Sequence, residues 1–275
     1  MVEKVGFVAG DGARLSLVRR GVVRGSPRAV CLLTHAMLTS SRYFERGFAA
    51  TLAAAGVESW RLDFRGCGDS AGGAPAGFDD YARLDVPAAL AEVARRSGVA
   101  AGELGYLGHS LGGLAGVAAF ASGAAAPPRR LVLAATQLFR PDGGWRDRGF
   151  LALWDGFARV LGRIPARALR AGSEDAPGPY ARDFSRWAHG GRFDGADGVD
   201  YRARAGDLAT PTLVLVSSGD RLCTPAQAAG FAACVGGPKQ TVVVGGGGFQ
   251  PDHFALLTDV RAAAAWRRVA GFLAG

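Results

Sequence analysis

Short apolar runs alternate with helix-like segments along both ends of this chain, and no other feature restricts its fold as strongly. Such runs are typical of parallel strands, because a parallel sheet is covered on both faces and its strands need no polar side. The alternation therefore predicts an α/β fold with a doubly wound, mostly parallel, eight-stranded sheet. The predicted strands are residues 4–9, 14–19, 29–34, 57–64, 104–108, 130–135, 212–217 and 240–244.

The predicted helices fill the gaps between these strands. In the first of them the apolar residues recur at helical spacing and the segment ends in Gly56, and Gly98 directly follows the second; a glycine is a common way for a helix to end. The predicted helices are residues 41–56, 79–97, 110–121, 225–235 and 256–273.

The alternation fails between residues 137 and 206, where several aromatic residues stand among many Arg and Asp residues. We expect this stretch to be a helical lid inserted after the sixth strand, while residues 1–136 and 207–275 form the core. Ligands of doubly wound sheets bind beyond the carboxyl ends of the strands. A segment inserted at that edge would cover the binding site.

No segment of the chain is apolar enough to indicate a membrane span. Residues 110–126 are the most apolar candidate, but they are mostly Gly and Ala, and a span needs about 20 predominantly apolar residues. The first residues lack the basic start, the apolar stretch and the small-residue cleavage site of a secretory signal. We therefore expect a soluble, cytoplasmic protein.

The net charge of +8 raises the question of a nucleic-acid partner. The basic residues are scattered, usually near Asp or Glu, and no DNA- or RNA-binding motif is present, so we expect no such partner. The four cysteines, Cys31, Cys67, Cys223 and Cys234, have no C-x-x-C spacing and form no zinc pattern with the histidines. We expect four separate, mostly buried thiols and no metal.

A G-x-S-x-G pentapeptide, Gly108 to Gly112, lies between a predicted strand and a predicted helix. A sharp turn at this place lifts a serine hydroxyl clear of the backbone, and the glycines on either side avoid collisions. The N-terminus of the helix favours a developing negative charge. A chain with 42 Gly contains such matches by chance, so it is the strand and the helix around it that make Ser110 the candidate nucleophile.

A serine nucleophile needs a base, and the base needs an orienting acid. On this kind of fold the chain order is Ser, acid, His, and the histidines after Ser110 are His189 and His253. His189 lies in a polar part of the predicted lid and is expected to be a surface residue. His253 stands in the loop after the last predicted strand, at the carboxyl edge of the sheet, and is the candidate base.

Asp220 is the candidate acid, because it follows the seventh predicted strand on a short loop that faces the loop of His253. An aspartate after a glycine is also common in ordinary turns. The alternatives are Asp142, just after the sixth strand, and Asp252, which is too close to His253 in sequence to face its imidazole comfortably.

Acyl transfer also needs an oxyanion hole. One donor is the backbone N–H after the nucleophile, that of Leu111, and the second comes from the loop after the third strand. In that loop, residues 34–40, the backbone N–H of Met37 is the expected donor, and His35 is expected to shape the loop rather than to act as the base.

Residues 61–71 contain a G-x-G-x-x-A pattern that superficially resembles a dinucleotide-binding fingerprint. That fingerprint should begin a helix, whereas a Gly- and Ala-rich loop follows here, and no P-loop motif is present. We therefore expect no nucleotide cofactor. The segment is better explained as a hydrogen-bonded turn that supports the oxyanion loop.

Over nearly its full length the chain resembles the α/β-hydrolase superfamily, through THAMLTSS, DFRGCGDS, GHSLGG, SSGDRLCTP and PDHF in that order. Its predicted lid is similar to that of a bacterial branch of predicted α/β-hydrolases, related to the serine-aminopeptidase and monoacylglycerol-lipase-like group. The resemblance implies Ser110 as nucleophile, Asp220 as acid and His253 as base. The chain departs from the family pattern at Ala36, where His-Gly is usual, and in the Gly-rich run before Pro251 and Asp252.

These features predict a serine hydrolase that acts on a small-molecule carboxylic ester or thioester through an acyl-enzyme. Acyl transfer or cyclisation from the same acyl-enzyme is an alternative, because a lid that excludes water lets an alcohol or amine compete. A ligand-binding protein without catalysis is another, since fold does not fix function. Lid aromatics could line an acyl pocket, although at least half should pack within the lid: Phe150, Trp154, Phe157, Phe184, Trp187 and Phe193.

A peptidase is a further alternative. An aminopeptidase needs acidic groups to hold the ammonium of its substrate, and Glu174 and Asp175 are adjacent in the predicted lid. The stretch from 138 to 205 nevertheless carries twelve Arg against nine Asp and Glu. That balance suits neutral or anionic acyl substrates better.

Overall fold

A single sheet of eight strands forms the centre of the molecule. The structure, a computed structural model, describes residues 2–70, 74–139 and 144–275. The strands of this sheet are β1 (Val2–Val8), β2 (Arg14–Arg20), β3 (Ala29–Thr34), β4 (Val57–Asp63), β5 (Gly105–His109), β6 (Arg130–Ala134), β9 (Thr212–Ser217) and β10 (Lys239–Val244); β7 (Arg163–Ile164) and β8 (Ala176–Pro177) form a separate pair.

The strand order is β1-β2-β4-β3-β5-β6-β9-β10. The pairs β1–β2 and β2–β4 are antiparallel, and the remaining pairs are parallel. The predicted eight-stranded, mostly parallel sheet is therefore confirmed, and each strand begins and ends within two residues of its prediction.

Burial along the strands follows their position in the sheet. Every residue of β4, β5 and β9 is buried, whereas the edge strands β1 and β10 each expose four residues. Central strands are covered by helices on both faces, so an apolar run is required there and is what made them recognisable in the sequence.

Helices cover both faces of the sheet. On one face α1 packs against α10, where Phe48 meets Trp266 edge to face, and on the other α3 packs beside α4. The α-helices are α1 (Phe48–Ala54), α2 (Phe78–Asp80), α3 (Val86–Ser97), α4 (Leu111–Ala121), α5 (Trp145–Val160), α6 (Gly178–Gly190), α7 (Tyr201–Arg204), α8 (Pro225–Ala232), α9 (Ala255–Thr258) and α10 (Ala263–Ala274).

Three predicted helices are interrupted. The first splits into a 3-10 turn (Ser41–Glu45) and α1, because Gly47 between them has a φ of 116°. The second contains a π-helical turn (Tyr81–Asp85) before α3. The last splits at Asp259 into α9, a 3-10 turn (Val260–Ala262) and α10. Periodicity alone predicted a continuous helix in each place, since the apolar residues keep their spacing across the breaks.

The segment between β6 and β9 contains α5, α6, α7 and the β7–β8 pair. Its first two helices pack through the indole of Trp154, which stacks near Phe184 and donates a hydrogen bond of 3.0 Å to the carbonyl of Ala181. Tyr201 ties the segment to the core by donating to Asp79 at 2.6 Å. No helix among the described residues is long and apolar enough to cross a membrane.

Candidate active site

Ser110 lies at the turn between β5 and α4, at the carboxyl edge of the sheet. Its backbone has φ 52° and ψ −113°, a conformation that a residue with a side chain adopts only when its surroundings impose it. The surroundings are tight: a Cβ at Gly108 would collide with the backbone of Gly112 and Gly113. The expected strand-to-helix turn is present, and Ser110 lines a cavity at this edge of the sheet.

Two glycines let the first turn of α4 approach the neighbouring strands. A Cβ at Gly112 would lie 2.5 Å from the carbonyl oxygen of Thr34, and a Cβ at Gly113 would collide with the side chain of Thr136. The N–H of Gly112 also donates to the carbonyl of His35 at 3.1 Å. The turn that carries Ser110 is thus fixed directly against the loop after β3.

His253 and Asp220 meet across the loops that follow β10 and β9. Nδ1 of His253 lies 2.7 Å from Oδ2 of Asp220, and both side chains are buried. The other carboxylate oxygen of Asp220 accepts from the backbone N–H groups of Leu222 and Cys223, at 2.8 and 3.0 Å. Because the carboxylate only accepts, Nδ1 carries the imidazole proton and Nε2 is left as an acceptor. His253 lines the same cavity as Ser110.

Met37 and Leu111 both line this cavity. Within residues 2–70, 74–139 and 144–275, neither backbone N–H has a hydrogen-bond partner. An oxyanion hole requires two such N–H groups, free in the resting protein and directed at one place.

The loop of Met37 is held by side chains on both sides of Ala36. The carbonyl of Ala36 accepts from Nδ1 of His35 at 2.8 Å and from the hydroxyl of Thr39 at 3.0 Å, while its N–H donates to the phenol oxygen of Tyr43 at 3.1 Å. Nε2 of His35 accepts from the N–H of Phe64 at 3.1 Å. One ring nitrogen bonds within the loop and the other bonds to the residue after β4, so His35 acts as the structural residue that was expected. The sequence did not indicate Thr39 or Tyr43.

The turn after β4 also supports this loop. Asp63 accepts from the N–H of Ser41 at 2.7 Å and from the N–H of Asp69 at 2.9 Å, and Gly68 adopts a φ of 54° where a Cβ would collide with Asp63. The carboxylate therefore joins the turn of β4 to the residues that follow the oxyanion loop. The described part of the G-x-G-x-x-A segment, through Ser70, is a turn and begins no helix.

The alternative base His189 and the alternative acid Asp252 make hydrogen bonds outside this arrangement. Asp252 accepts from the backbone N–H groups of Phe254 and Ala255, at 3.0 and 2.7 Å, so its carboxylate serves the turn before α9. His189 is exposed, and its Nε2 lies 3.2 Å from Oδ2 of Asp155. Asp142 lies outside the described residues.

The cavity that contains Ser110 has a volume of about 510 Å³ and mostly apolar walls. Phe150, Phe184 and Trp187 line it, whereas Trp154, Phe157 and Phe193 do not. Other lining residues come from the core and from the segment between β6 and β9: Ala36, Leu38, Leu114, Gln137, Leu138, Phe139, Asp147, Ala171, Tyr180, Arg221, Leu222, Gln227 and Phe254.

The four cysteines are free, as expected, and three of them are fully buried. Burial raises the pKa of the Cys31, Cys67 and Cys223 thiols, which disfavours the reactive thiolate form. Among the residues that the structure describes, no group of three or more His, Cys, Asp or Glu side chains is arranged to hold a metal ion.

Comparison with known proteins gives one family. The family model described as serine aminopeptidase S33 matches residues 25–175. No protein of curated function matches the sequence.

Solved structures share the fold at low sequence identity. The esterase domain of a Rhodothermus marinus protein is 19% identical with a TM-score of 0.66, and the match covers 100% of this chain and 98% of that one. DcsB in complex with its substrate analogue is 15% identical with a TM-score of 0.73 and full coverage of both chains. The thioesterase domain from the curacin biosynthetic pathway is 18% identical with a TM-score of 0.62, covering 98% and 99%.

Proposed function

Since the chain belongs to the serine aminopeptidase S33 family of α/β-hydrolases, we propose that it hydrolyses carboxylic esters or thioesters through Ser110, His253 and Asp220. The observation that carries the proposal is the buried hydrogen bond between His253 and Asp220, beside a cavity that Ser110 also lines. Ser110 and His253 are far apart in the chain, and a purely structural role gives no reason for both to line one cavity with Asp220 bonded to the imidazole.

In the first half of the reaction, the Oγ of Ser110 attacks the acyl carbon of the substrate while Nε2 of His253 takes the hydroxyl proton. Asp220 holds the imidazole in the tautomer that leaves Nε2 free, and it stabilises the imidazolium. The carbonyl oxygen becomes negatively charged and accepts from the N–H groups of Met37 and Leu111. The intermediate collapses, the leaving group receives the proton from His253, and Ser110 is acylated.

In the second half, water enters and Nε2 of His253 takes one of its protons. The resulting hydroxide attacks the acyl carbon, and the same two N–H groups stabilise the second oxyanion. The bond between the acyl group and Ser110 breaks, Oγ recovers its proton from His253, and the carboxylic acid leaves. The protein returns to its starting state without a cofactor.

The walls of the cavity favour acyl substrates over peptides with a free amino terminus. An ammonium group needs a carboxylate partner when it is removed from water. Among the described residues of the cavity wall, Asp147 is the one carboxylate and the guanidinium of Arg221 offsets its charge, whereas Glu174 and Asp175 do not line this cavity. Two of the similar structures are an esterase domain and a thioesterase domain, which supports the same substrate class here.

We also propose that residues 137–206 act as a lid over the acyl group. Phe150, Phe184 and Trp187 come from this segment and line the cavity with apolar surface. Each aromatic side chain removes 150–250 Å² from water when it is fully buried, roughly speaking, so an apolar acyl chain gains binding energy from contact with them. The leaving group would point away from these rings.

Labelling with a fluorophosphonate, which reacts covalently with activated serines, tests the proposal. The native protein should be modified once, at the peptide that contains Ser110, and Ser110→Ala should not react. Ser122→Ala, which removes a hydroxyl at the end of the same helix, is the matched control and should be labelled like the native protein. If the native protein stays unlabelled, or if Ser110→Ala reacts equally, the proposal is wrong.

A further inference from the structure

Tyr43 and His109 connect the parts of the proposed site. Tyr43 lies in the 3-10 turn after the oxyanion loop, and its phenol oxygen is 2.7 Å from Nδ1 of His109, the last residue of β5. The same oxygen accepts from the N–H of Ala36 at 3.1 Å. One hydroxyl therefore bonds on one side to the residue before Met37 and on the other to the residue before Ser110.

The direction of the hydrogen bond between the two rings follows from counting protons. Burial raises the pKa of Tyr43 well above its usual value, so the phenol keeps its proton. Within the described residues, Nδ1 of His109 is the one acceptor in reach of that hydroxyl. If Nδ1 carried a proton, two N–H groups would point at the phenol oxygen and the phenol proton would have no acceptor. The phenol therefore donates to Nδ1.

Because the peptide bond is planar, the hydrogen bonds made by Ala36 also restrain the N–H of Met37, one of the proposed oxyanion donors. The carbonyl oxygen of Ala36 and the N–H of Met37 belong to one planar trans peptide and point in opposite directions. His35 and Thr39 hold the carbonyl of Ala36, and Tyr43 holds its N–H. The direction of the free N–H of Met37 is thereby fixed from both sides of Ala36.

His109 lies close to the other proposed oxyanion donor, Leu111, and to the proposed base, His253. It precedes Ser110 and Leu111 in the chain, and its ring centroid lies 4.8 Å from that of His253. His109 is fully buried, and its Nε2 has no hydrogen-bond partner among the described residues. Burial, and secondly the charge of a protonated His253 nearby, lower the pKa of His109 well below its usual value. A neutral ring at this distance does not oppose the proton that His253 must accept.

We propose that Tyr43 and His109 are positioning residues, which hold the N–H groups of Met37 and Leu111 at the spacing that the oxyanion requires. Neither ring lines the cavity, so both act through other residues and neither touches the substrate. The inference rests on the proposed function, because it matters only if an oxyanion forms at Ser110.

The test removes the hydroxyl or its acceptor and measures ester hydrolysis. In Tyr43→Phe and in His109→Phe the bond is lost, and kcat should fall roughly 10- to 100-fold, less than the loss on removing an oxyanion donor itself, with KM nearly unchanged. In His109→Asn the side-chain oxygen takes the place of Nδ1 and accepts from Tyr43, so kcat should stay within about threefold of the native value. The double variant Tyr43→Phe/His109→Phe should lose little more than either single variant.

A second measurement separates positioning from a general structural effect. An alkyl trifluoromethyl ketone adds to an active serine and places an oxyanion in the hole, so its Ki should rise in step with the fall in kcat/KM. Tyr201→Phe removes the hydroxyl of a buried, hydrogen-bonded tyrosine that does not line the cavity. It should lose thermal stability and keep both kcat and Ki.

The outcomes distinguish this inference from the proposed function. If the native protein neither hydrolyses esters nor reacts with the fluorophosphonate, the proposed function fails, and the positioning role fails with it. If the native protein is active and Tyr43→Phe keeps kcat and Ki within twofold, only the positioning role is wrong. It is also wrong if His109→Asn loses as much activity as His109→Phe while both remain folded.

Discussion

The imidazole Nδ1 of His253 lies 2.7 Å from Oδ2 of Asp220, although 33 residues separate them. The two loops that carry them are joined by a second contact, in which the hydroxyl of Ser217 donates to the carbonyl of Pro251. Because β9 and β10 are parallel and in register at Ser217 and Val244, both loops leave the sheet at the same edge. The register of β9 and β10 therefore brings the two loops together, and the loops place His253 and Asp220 within hydrogen-bond distance.

Asp220→Asn should lower kcat about 10³- to 10⁴-fold while the protein stays folded. An asparagine amide can donate to the ring nitrogen that Asp220 accepts from, which stabilises the tautomer with a proton on Nε2, and this tautomer cannot take a proton from Ser110. The check is kcat/KM with a nitrophenyl ester. Asp252→Asn is the matched control, since it changes a carboxylate next to His253 whose hydrogen bonds within the described residues come from backbone N–H groups, and it should stay within about threefold of the native rate. Equal losses in the two variants would contradict the role given to Asp220.

The sequence predicted the sheet well because burial on both faces leaves a pattern that sequence alone displays. Every residue of β3 except its first is buried, and the run AVCLLT has no polar side. The helices were less predictable. Gly47 lies inside a continuous apolar period, and only the contact of α1 with Trp266 explains why the chain turns there. A break that tertiary packing imposes has no signature in periodicity.

The residues of the candidate site also differ in whether the sequence alone can indicate them. Ser110, Asp220 and His253 could be named as candidates because their residue types and order follow from the chemistry of an activated serine, and their catalytic roles stay predictions. Tyr43 could not, since a tyrosine in a short turn is usually a packing residue, and its hydroxyl becomes informative only when its partners, Ala36 and His109, are known. The lid remains a prediction from the loss of periodicity between residues 137 and 206.

Gly108 and Gly113, on either side of Ser110, should differ in whether a second substitution restores the stability that is lost when each is replaced by Ala. Gly113→Ala should destabilise the protein by about 3 kcal/mol, because the new Cβ collides with the side chain of Thr136. Adding Thr136→Gly removes the colliding atoms and should recover part of that loss. Gly108→Ala meets backbone atoms instead, so the same second change should not help it. Urea unfolding of the three single variants and the two double variants measures this, and simple additivity of Gly113→Ala and Thr136→Gly would show that the collision is not the cause.

Phe184→Ala should shift the preferred substrate towards longer acyl chains. Phe184 lines the cavity and packs against Phe139 and Trp154, so its loss lengthens the apolar space available to the acyl group. A series of nitrophenyl esters from acetate to laurate should show the ratio of kcat/KM for long over short chains rising at least about tenfold, the scale of one methylene in a fitted pocket. Phe157→Ala removes a phenyl ring on α5 that does not line the cavity and should leave the ratio unchanged. The same shift in both variants would place the acyl group elsewhere.

Two buried histidines should make the free energy of unfolding fall as the solution is acidified below pH 6.5. Burial lowers the pKa of His35 and of His109 in the folded protein, whereas in the unfolded chain a histidine titrates near 6.5. Below that pH the unfolded state binds more protons, so each histidine removes at most about 1.4 kcal/mol per pH unit, until the folded state also binds the proton. Asp85 acts in the opposite sense, because burial raises its folded pKa to about 6, and it is present in every variant compared.

The contribution of His109 to the pH dependence of stability can therefore be measured by comparing the native protein with His109→Asn. Urea unfolding of the native protein and of His109→Asn, from pH 7.5 to pH 5.5, should give slopes that differ by about one proton, the native protein losing stability faster towards acid. The asparagine keeps the acceptor for Tyr43, so the change removes a titrating group without removing the hydrogen bond. If the two slopes are equal, His109 takes up its proton in the folded state as readily as in the unfolded chain, and the neutral ring beside His253 does not exist.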